Sequence, residues 1–291
     1  MKVHLLDGTY ELFRHHFAVP SHLTDDGMEV AAVRGVLRSV LWMLDEGVTH
    51  LGVATDHVIE SFRNDLWAGY KSSAGIEPAL LAQFPLLEDA LREAGVVVWA
   101  MVDQEADDGL ASAAAVAAGD PEVEQVLICT PDKDLAQCVS GTRVVQVDRR
   151  KKQERDEPGV WERFGVGPAS IPDYLALVGD SADGFPGLPG WGARSASTVL
   201  AKFGRLEDIP PDGAQWGLAL RNASTLAAVL NQGRELALLF KDIATLRTEP
   251  RVVDSVEELR WTGPRPGFPA LCERLGEPNL VRKAEAVASR R

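Results

Sequence analysis

Basic residues are scarce in this chain: 30 lysines and arginines stand against 43 aspartates and glutamates, a formal net charge of −13 at pH 7. That balance excludes a generally cationic surface, so any contact with a polyanion has to come from locally concentrated cations. Cysteine is nearly absent. Cys129, Cys138 and Cys272 are odd in number and widely spaced, which excludes a disulfide framework and a cysteine-based zinc site and suits buried thiols in a reducing compartment. Apolar runs long enough to span a bilayer are lacking, and Met1-Lys2-Val3-His4-Leu5-Leu6-Asp7 opens directly into a strand-like segment rather than a signal peptide. A cytoplasmic location with no membrane partner is the expectation. Repeats and low-complexity tracts are missing too. What remains is an ordinary globular composition, 45% hydrophobic and 25% charged over 291 residues, enough for one large domain or for a main domain with a smaller partner.

Short apolar runs at 3–6, 50–55, 96–99, 126–129 and 144–147 alternate with helical patterns at 10–17, 30–46, 80–91 and 105–118. Val30, Val33, Leu37, Val40, Leu41 and Leu44 recur at helical spacing, and Trp42 and Met43 beside them read as core or near-core residues. The alternation predicts an α/β fold, a parallel twisted sheet flanked by helices. Residues 62–71 read as a basic loop, and 149–157 as a charged hairpin or linker with a solvated face. Stretches 171–178 and 226–246 are helical in character. A Pro-rich, weakly patterned tail follows Trp261.

In such a sheet, ligands gather where strands end and helices begin. Asp7, Asp56, the cluster Glu105-Ala106-Asp107-Asp108 and the pair Asp132 and Asp134 all follow apolar runs. Acids at a helix start have an ordinary role as capping groups. Many on one edge is different, because crowded carboxylates repel one another unless cations sit among them. Oxygen ligands without His or Cys favour Mg²⁺ or Mn²⁺ over zinc. A two-metal site of this kind, with ions roughly 3.5 to 4 Å apart, serves in-line displacement at phosphorus. Further along, Asp180 and Asp183 lead directly into Gly187-Leu188-Pro189-Gly190-Trp191-Gly192 and Ala193-Arg194-Ser195-Ala196. Glycines let backbone approach a ligand closely, and helix-start amides bind phosphate without reading bases.

From Asp7 to about Leu246 these residues resemble the 5′-nucleases, the family of flap endonucleases and of the 5′-3′ exonuclease domain of bacterial DNA polymerase I. The resemblance rests on Phe62-Arg63, Tyr70-Lys71, the 105–112 segment, Asp132-Lys133-Asp134-Leu135 and the stretch 179–196. It implies a PIN-like nuclease core over 1–165 with an arch at about 62–92. A helical DNA-binding domain is implied over 166–291, with a helix-three-turn-helix module at about 186–203. It also implies that Asp7, Asp56, Glu105 and Asp107 ligate one metal ion, that Asp132, Asp134, Asp180 and Asp183 serve a second, and that Asp108 has an outer or shared role. Arg63 and Lys71 would hold the scissile phosphate. Tyr10 and Arg14 would line the DNA entry, and Gly187, Gly190, Gly192, Arg194 and Ser195 would grip duplex backbone, with K⁺ held by main-chain carbonyls of the module. The implied protein is a monomer hydrolysing DNA phosphodiester bonds from the 5′ side, as exonuclease and 5′-flap endonuclease in replication or repair. Two alternatives stand beside it: a structure-binding paralogue without useful catalysis, and a PIN-type ribonuclease. Where the family commonly has Asn after its last acidic-motif Asp this chain has Gly184, and where it has Lys-Thr this chain has Arg194-Ser195. Ala74 stands three positions after Lys71, where many members carry a basic residue, and 72–91 holds no Lys or Arg at all.

Overall fold

The computed structural model describes every residue from Met1 to Arg291. The chain forms two compact units: residues 1–59, 73–130 and 247–291 make the first, and residues 60–72 and 131–246 the second.

The first unit is built on four parallel strands, β1 (Lys2–Asp7), β2 (His50–Asp56), β3 (Val97–Met101) and β4 (Gln125–Cys129), in the order β3-β2-β1-β4. Strands covered on both faces need continuous apolar sequence, and β2 is buried along its whole length. Two glycines allow close packing on this sheet. A Cβ at Gly52 would lie 2.3 Å from the Trp99 indole, and one at Gly109 would lie 3.0 Å from Met101 Sδ. The helix Ala106–Gly119 therefore rests on the sheet through alanines and that glycine. In the helix Ala31–Asp45 the expected apolar stripe is buried, and Met43 with it. Trp42, expected in or near the core, is instead 51% exposed; successive helix positions turn by about 100°, so the residue between Leu41 and Met43 points away from the sheet. Val30 cannot cap the start of this helix with its side chain; Glu29 Oε1 accepts from Ala31 N at 2.8 Å, and Gln83 Oε1 accepts from the amides of Ala32 and Val33 at 3.2 and 3.3 Å.

The tail after Leu246 belongs to this unit. Trp261 donates its backbone amide to Thr49 O at 2.9 Å and its indole Nε1–H to Ala94 O at 2.7 Å. Arg34 Nε donates to Glu277 Oε1 at 2.6 Å. The helices Phe268–Arg274 and Asn279–Ala288 bury Phe268, Cys272, Leu280 and Val287. Burial pushes the Cys272 thiol up to about 11, so it stays protonated and inert.

The second unit holds an antiparallel hairpin, β5 (Val144–Asp148) and β6 (Gln153–Arg155), and the helices Glu157–Phe164, Ile171–Val178, Ala193–Phe203, Ala223–Gln232 and Arg234–Ala244. Its core gathers Leu175, Leu177, Phe185, Trp216 and Phe240. The stretch expected to be a basic loop begins with the short helix Phe62–Leu66, closed by a capping box between Ser61 and Asn64. Of the expected arch, residues 83–92 lie in the helix Gln83–Glu93, which buries Phe84, Leu87 and Leu91.

Candidate functional site

In the first unit, β1 and β2 deliver carboxylates at their C-terminal ends. Asp7 pairs in register with Ala54, and Asp56 with Met101. Both are buried, and each is already oriented. Asp7 caps the helix Gly8–Ala18, its Oδ1 accepting from Tyr10 N at 2.7 Å and its Oδ2 from Thr130 Oγ1 at 2.9 Å. Asp56 Oδ1 accepts from Ala106 N at 2.7 Å, and Thr9 Oγ1 accepts from Asp56 N at 2.8 Å. Thus Asp56 is tied to the helix start that carries Glu105, which is itself buried. Asp107, half-buried, stands in the first turn of that helix.

Asp108, expected in an outer or shared role, lies behind Glu105. It is fully buried, its Oδ2 accepts from Glu105 N at 3.0 Å and its Oδ1 from Arg247 N at 2.8 Å. Its carboxylate fixes the backbone of Glu105 rather than facing solvent. On the helix Gly8–Ala18, Arg14 Nη2 donates to the buried Glu11 Oε2 at 2.5 Å and lies 2.7 Å from His15 Nε2.

In the second unit, ligand oxygens of Asp134, Asp180 and Asp183 lie within 4.8 Å of one another, and all three residues are buried. The turn geometry comes from the acids themselves: Asp132 Oδ1 accepts from Asp134 N and Asp180 Oδ1 from Ala182 N, each at 2.9 Å. Two lysines offset part of the charge, Lys133 Nζ at 2.5 Å from Asp180 Oδ2 and Lys71 Nζ at 3.1 Å from Asp183 Oδ1. Burial alone would lower the Lys133 ammonium, but the hydrogen bond and charge of Asp180, with Asp134 and Asp132 nearby, raise it. Asp134 is different. Burial pushes its carboxyl well above the ordinary carboxylate range, and Asp132, Asp183 and Asp180 push it further. It is 5% exposed, and its Oδ1 has no hydrogen-bond partner. A buried carboxylate oxygen without a partner is costly; a hard cation among three carboxylates offsets that cost, so the donor set fits a divalent ion with a preference for oxygen.

Arg63 lies elsewhere than a phosphate-holding role requires. It is 1% exposed, and its Nε donates to Ile243 O at 2.7 Å with Nη2 3.5 Å from Thr245 O. The guanidinium thus satisfies carbonyls at the end of the helix Arg234–Ala244. The glycine-rich segment divides by role. Gly187 is buried, and a Cβ there would lie 2.4 Å from Gly179 N and 2.5 Å from Leu177 O; its expected DNA contact gives way to packing against the helix Ile171–Val178. At Gly190 and Gly192 a Cβ would meet nothing within 4 Å, so their backbone is open to an approaching group. The Ser195 hydroxyl is 3.0 Å from both Gly192 N and Gly192 O, holding the start of the helix Ala193–Phe203, where Arg194 is exposed.

Thr9, Thr130 and Lys133 join the site residues expected from the sequence. Lys133 carried a signal, since it stands between Asp132 and Asp134. The two threonines gave none, because a hydroxyl that orients a carboxylate leaves no spacing pattern.

Family models of 5′-3′ exonucleases match nearly the whole chain: the N-terminal resolvase-like domain at residues 2–165 and the C-terminal SAM fold at residues 166–267. The chain is 33% identical to DNA polymerase I of Bacillus caldotenax over 296 residues, covering 99% of this chain and 33% of that protein. It thus spans about a third of the length of that relative. A 5′-3′ exonuclease of Aquifex aeolicus is 34% identical over 209 residues, 71% of each chain. Among solved structures, T5 5′-exonuclease with bound divalent metal ions (zinc) matches with a TM-score of 0.65 at 18% identity, over 99% of both chains. The α/β core with a helical C-terminal part is therefore the fold of these nucleases, and the chain belongs to the 5′-3′ exonuclease family.

Proposed function

We propose that the protein hydrolyses DNA phosphodiester bonds from a 5′ end or at a 5′ flap, with Mg²⁺ or Mn²⁺, in replication or repair. The observation that carries this reading is Asp134 Oδ1, buried and without a partner beside Asp180 and Asp183. Asp132, Asp134, Asp180 and Asp183 would hold one ion, and Asp7, Asp56, Glu105 and Asp107 another. Divalent ions held this way activate water and stabilise the leaving oxygen of a phosphodiester. The chain's own part is orientation. Thr130 and the amides of Tyr10 and Ala106 fix Asp7 and Asp56 before any ion arrives, so little reorganisation is left for the reacting state. Lys71, 29% exposed at its side chain and paired with Asp183, would meet a phosphate oxygen. The open backbone at Gly190 and Gly192 and the exposed Arg194 would grip duplex phosphates without reading sequence.

The test is cleavage of a labelled 5′-flap beside a nicked duplex, with product lengths mapped in Mg²⁺, Mn²⁺ and EDTA, next to a matched RNA. Cleavage near the flap junction that stops in EDTA is expected. Binding without cleavage in either metal would leave a structure-binding protein, and preference for the RNA would leave a ribonuclease.

A further inference from the structure

The proposed function makes no use of the charged run after β5. In the structure, residues 149–152 are the four-residue turn of the β5–β6 hairpin, closed by the Asp148 and Gln153 pair. Three acids near this turn are engaged locally, while Glu154 on β6 is exposed. Asp148 is buried and its Oδ1 accepts from Lys151 N at 3.0 Å. Asp156 caps the next helix through Gly159 N at 3.0 Å, and Glu157 Oε2 accepts from Gly141 N at 3.0 Å. Arg155 turns inward, its Nη1 donating to Gln146 Oε1 at 2.6 Å.

The cations of the tip do the opposite. Arg150, Lys151 and Lys152 are all exposed, Lys151 with 73% of its side chain in solvent and only a loose 3.6 Å pairing to Asp148. Lys152 has φ +53°, the one non-glycine residue with left-handed backbone. Glycine or asparagine would suit that conformation better, yet the position keeps a lysine. In a chain of net charge −13, three adjacent exposed cations on one turn form a local field of the sign that phosphate needs.

The helix that follows the hairpin meets the helix of the glycine-rich module. The hairpin leads into the helix Glu157–Phe164, which ends at Gly165 with φ +69°. A Cβ at Gly165 would lie 2.8 Å from Ser197 Cβ on the helix Ala193–Phe203, so the two segments touch through that glycine.

We infer that Arg150, Lys151 and Lys152 are a second contact for the phosphate backbone of double-stranded nucleic acid, extending the footprint of the segment around Gly190 and Arg194. The inference rests on the proposed function for its ligand, and its test is separable from it. Each phosphate neutralised on a duplex steepens the salt dependence of log Kd by about 0.9. Replacing Arg150→Gln, Lys151→Gln and Lys152→Asn together should flatten the slope by roughly 2 to 3. Between 50 and 200 mM salt the parent should then lose roughly fortyfold more affinity than the variant. Lys152→Asn alone, in a residue suited to left-handed backbone, should flatten it by about 0.9 and guards against a misfolded triple variant.

The measurement is fluorescence anisotropy of a labelled nicked duplex in EDTA over a salt series, with thermal unfolding of each variant beside it. Flatter slopes at parental thermal stability are the expected result. Unchanged slopes in a parent that cleaves DNA would overturn the hairpin contact and leave the nuclease reading standing. A hairpin-dependent slope in a parent that does not cleave would do the reverse. A parent that does not bind the duplex at all would overturn both.

Discussion

Asp134 concentrates the conflict between folding and function in one side chain. Its carboxyl is held above the ordinary range by burial and by Asp132, Asp183 and Asp180. The metal-free folded state therefore takes up a proton more readily than the unfolded chain. That contribution to stability is complete below the unfolded carboxyl value of about 3.9 and is lost as pH rises through the raised folded value. Asp134→Asn removes the charge and keeps the shape. It should raise the thermal unfolding midpoint of the metal-free protein at pH 7, abolish much of the further rise on adding Mg²⁺, and lower cleavage by roughly a hundredfold or more. Cleavage near the parental rate would remove Asp134 from the metal-holding set. Gly35 shows the same dependence on one atom. A Cβ there would stand 2.3 Å from His15 Nδ1, and His15 lies against Arg14. Gly35→Ala should cost about 1 to 3 kcal/mol, the range of an overpacked core, read from urea unfolding.

Elements differed in how far their sequence declared them. The parallel strands were legible because both faces are buried and their runs are continuously apolar, and the helices at 31–45 and 193–203 because their stripes are long. The helix Phe62–Leu66 is too short for a period to show, and the helices Phe268–Arg274 and Asn279–Ala288 lie among prolines and glycines that read as loop. The acids after each strand pointed to the site. The burial of Arg63 did not, because its partners are backbone carbonyls of residues 180 and 182 positions away. Within the glycine-rich segment, neighbouring glycines of one type should respond oppositely. Gly187→Ala drives a Cβ into backbone and should lower stability by more than about 1 kcal/mol. Gly190→Asn tolerates positive φ and should leave unfolding near parental while weakening duplex binding, as anisotropy would show. Equal behaviour of the two would end this division of labour. In the exposed segment that carries Ala74, Ala74→Arg should raise the single-turnover rate on 5′-flap DNA by roughly tenfold, the effect of about 1.4 kcal/mol in the barrier. High salt should erase the gain.

The whole molecule is knit by a chain that leaves its first unit twice and returns each time. Residues 247–291 supply Trp261, whose indole reaches Ala94, and Glu277, which pairs with Arg34. Ending the chain at Leu246 should strip these partners from the end of the helix Gln83–Glu93 and from the helix Ala31–Asp45, leaving a protein that melts lower and is cut faster by protease than the longer chain. A truncated form as stable as the parent would mean the tail contributes little. This return also sets a timetable. Synthesis proceeds from the N-terminus, and domains fold as their sequence emerges. The second unit has its last residue when Leu246 appears, whereas the first, although β1 is made before any of the second unit, stays incomplete until residues 247–291 leave the ribosome. The acids of β1 and β2 are thus the earliest translated of the candidate ligands and the last to be sealed, and a nascent chain has no finished first unit on which to place them until residues 247–291 have emerged.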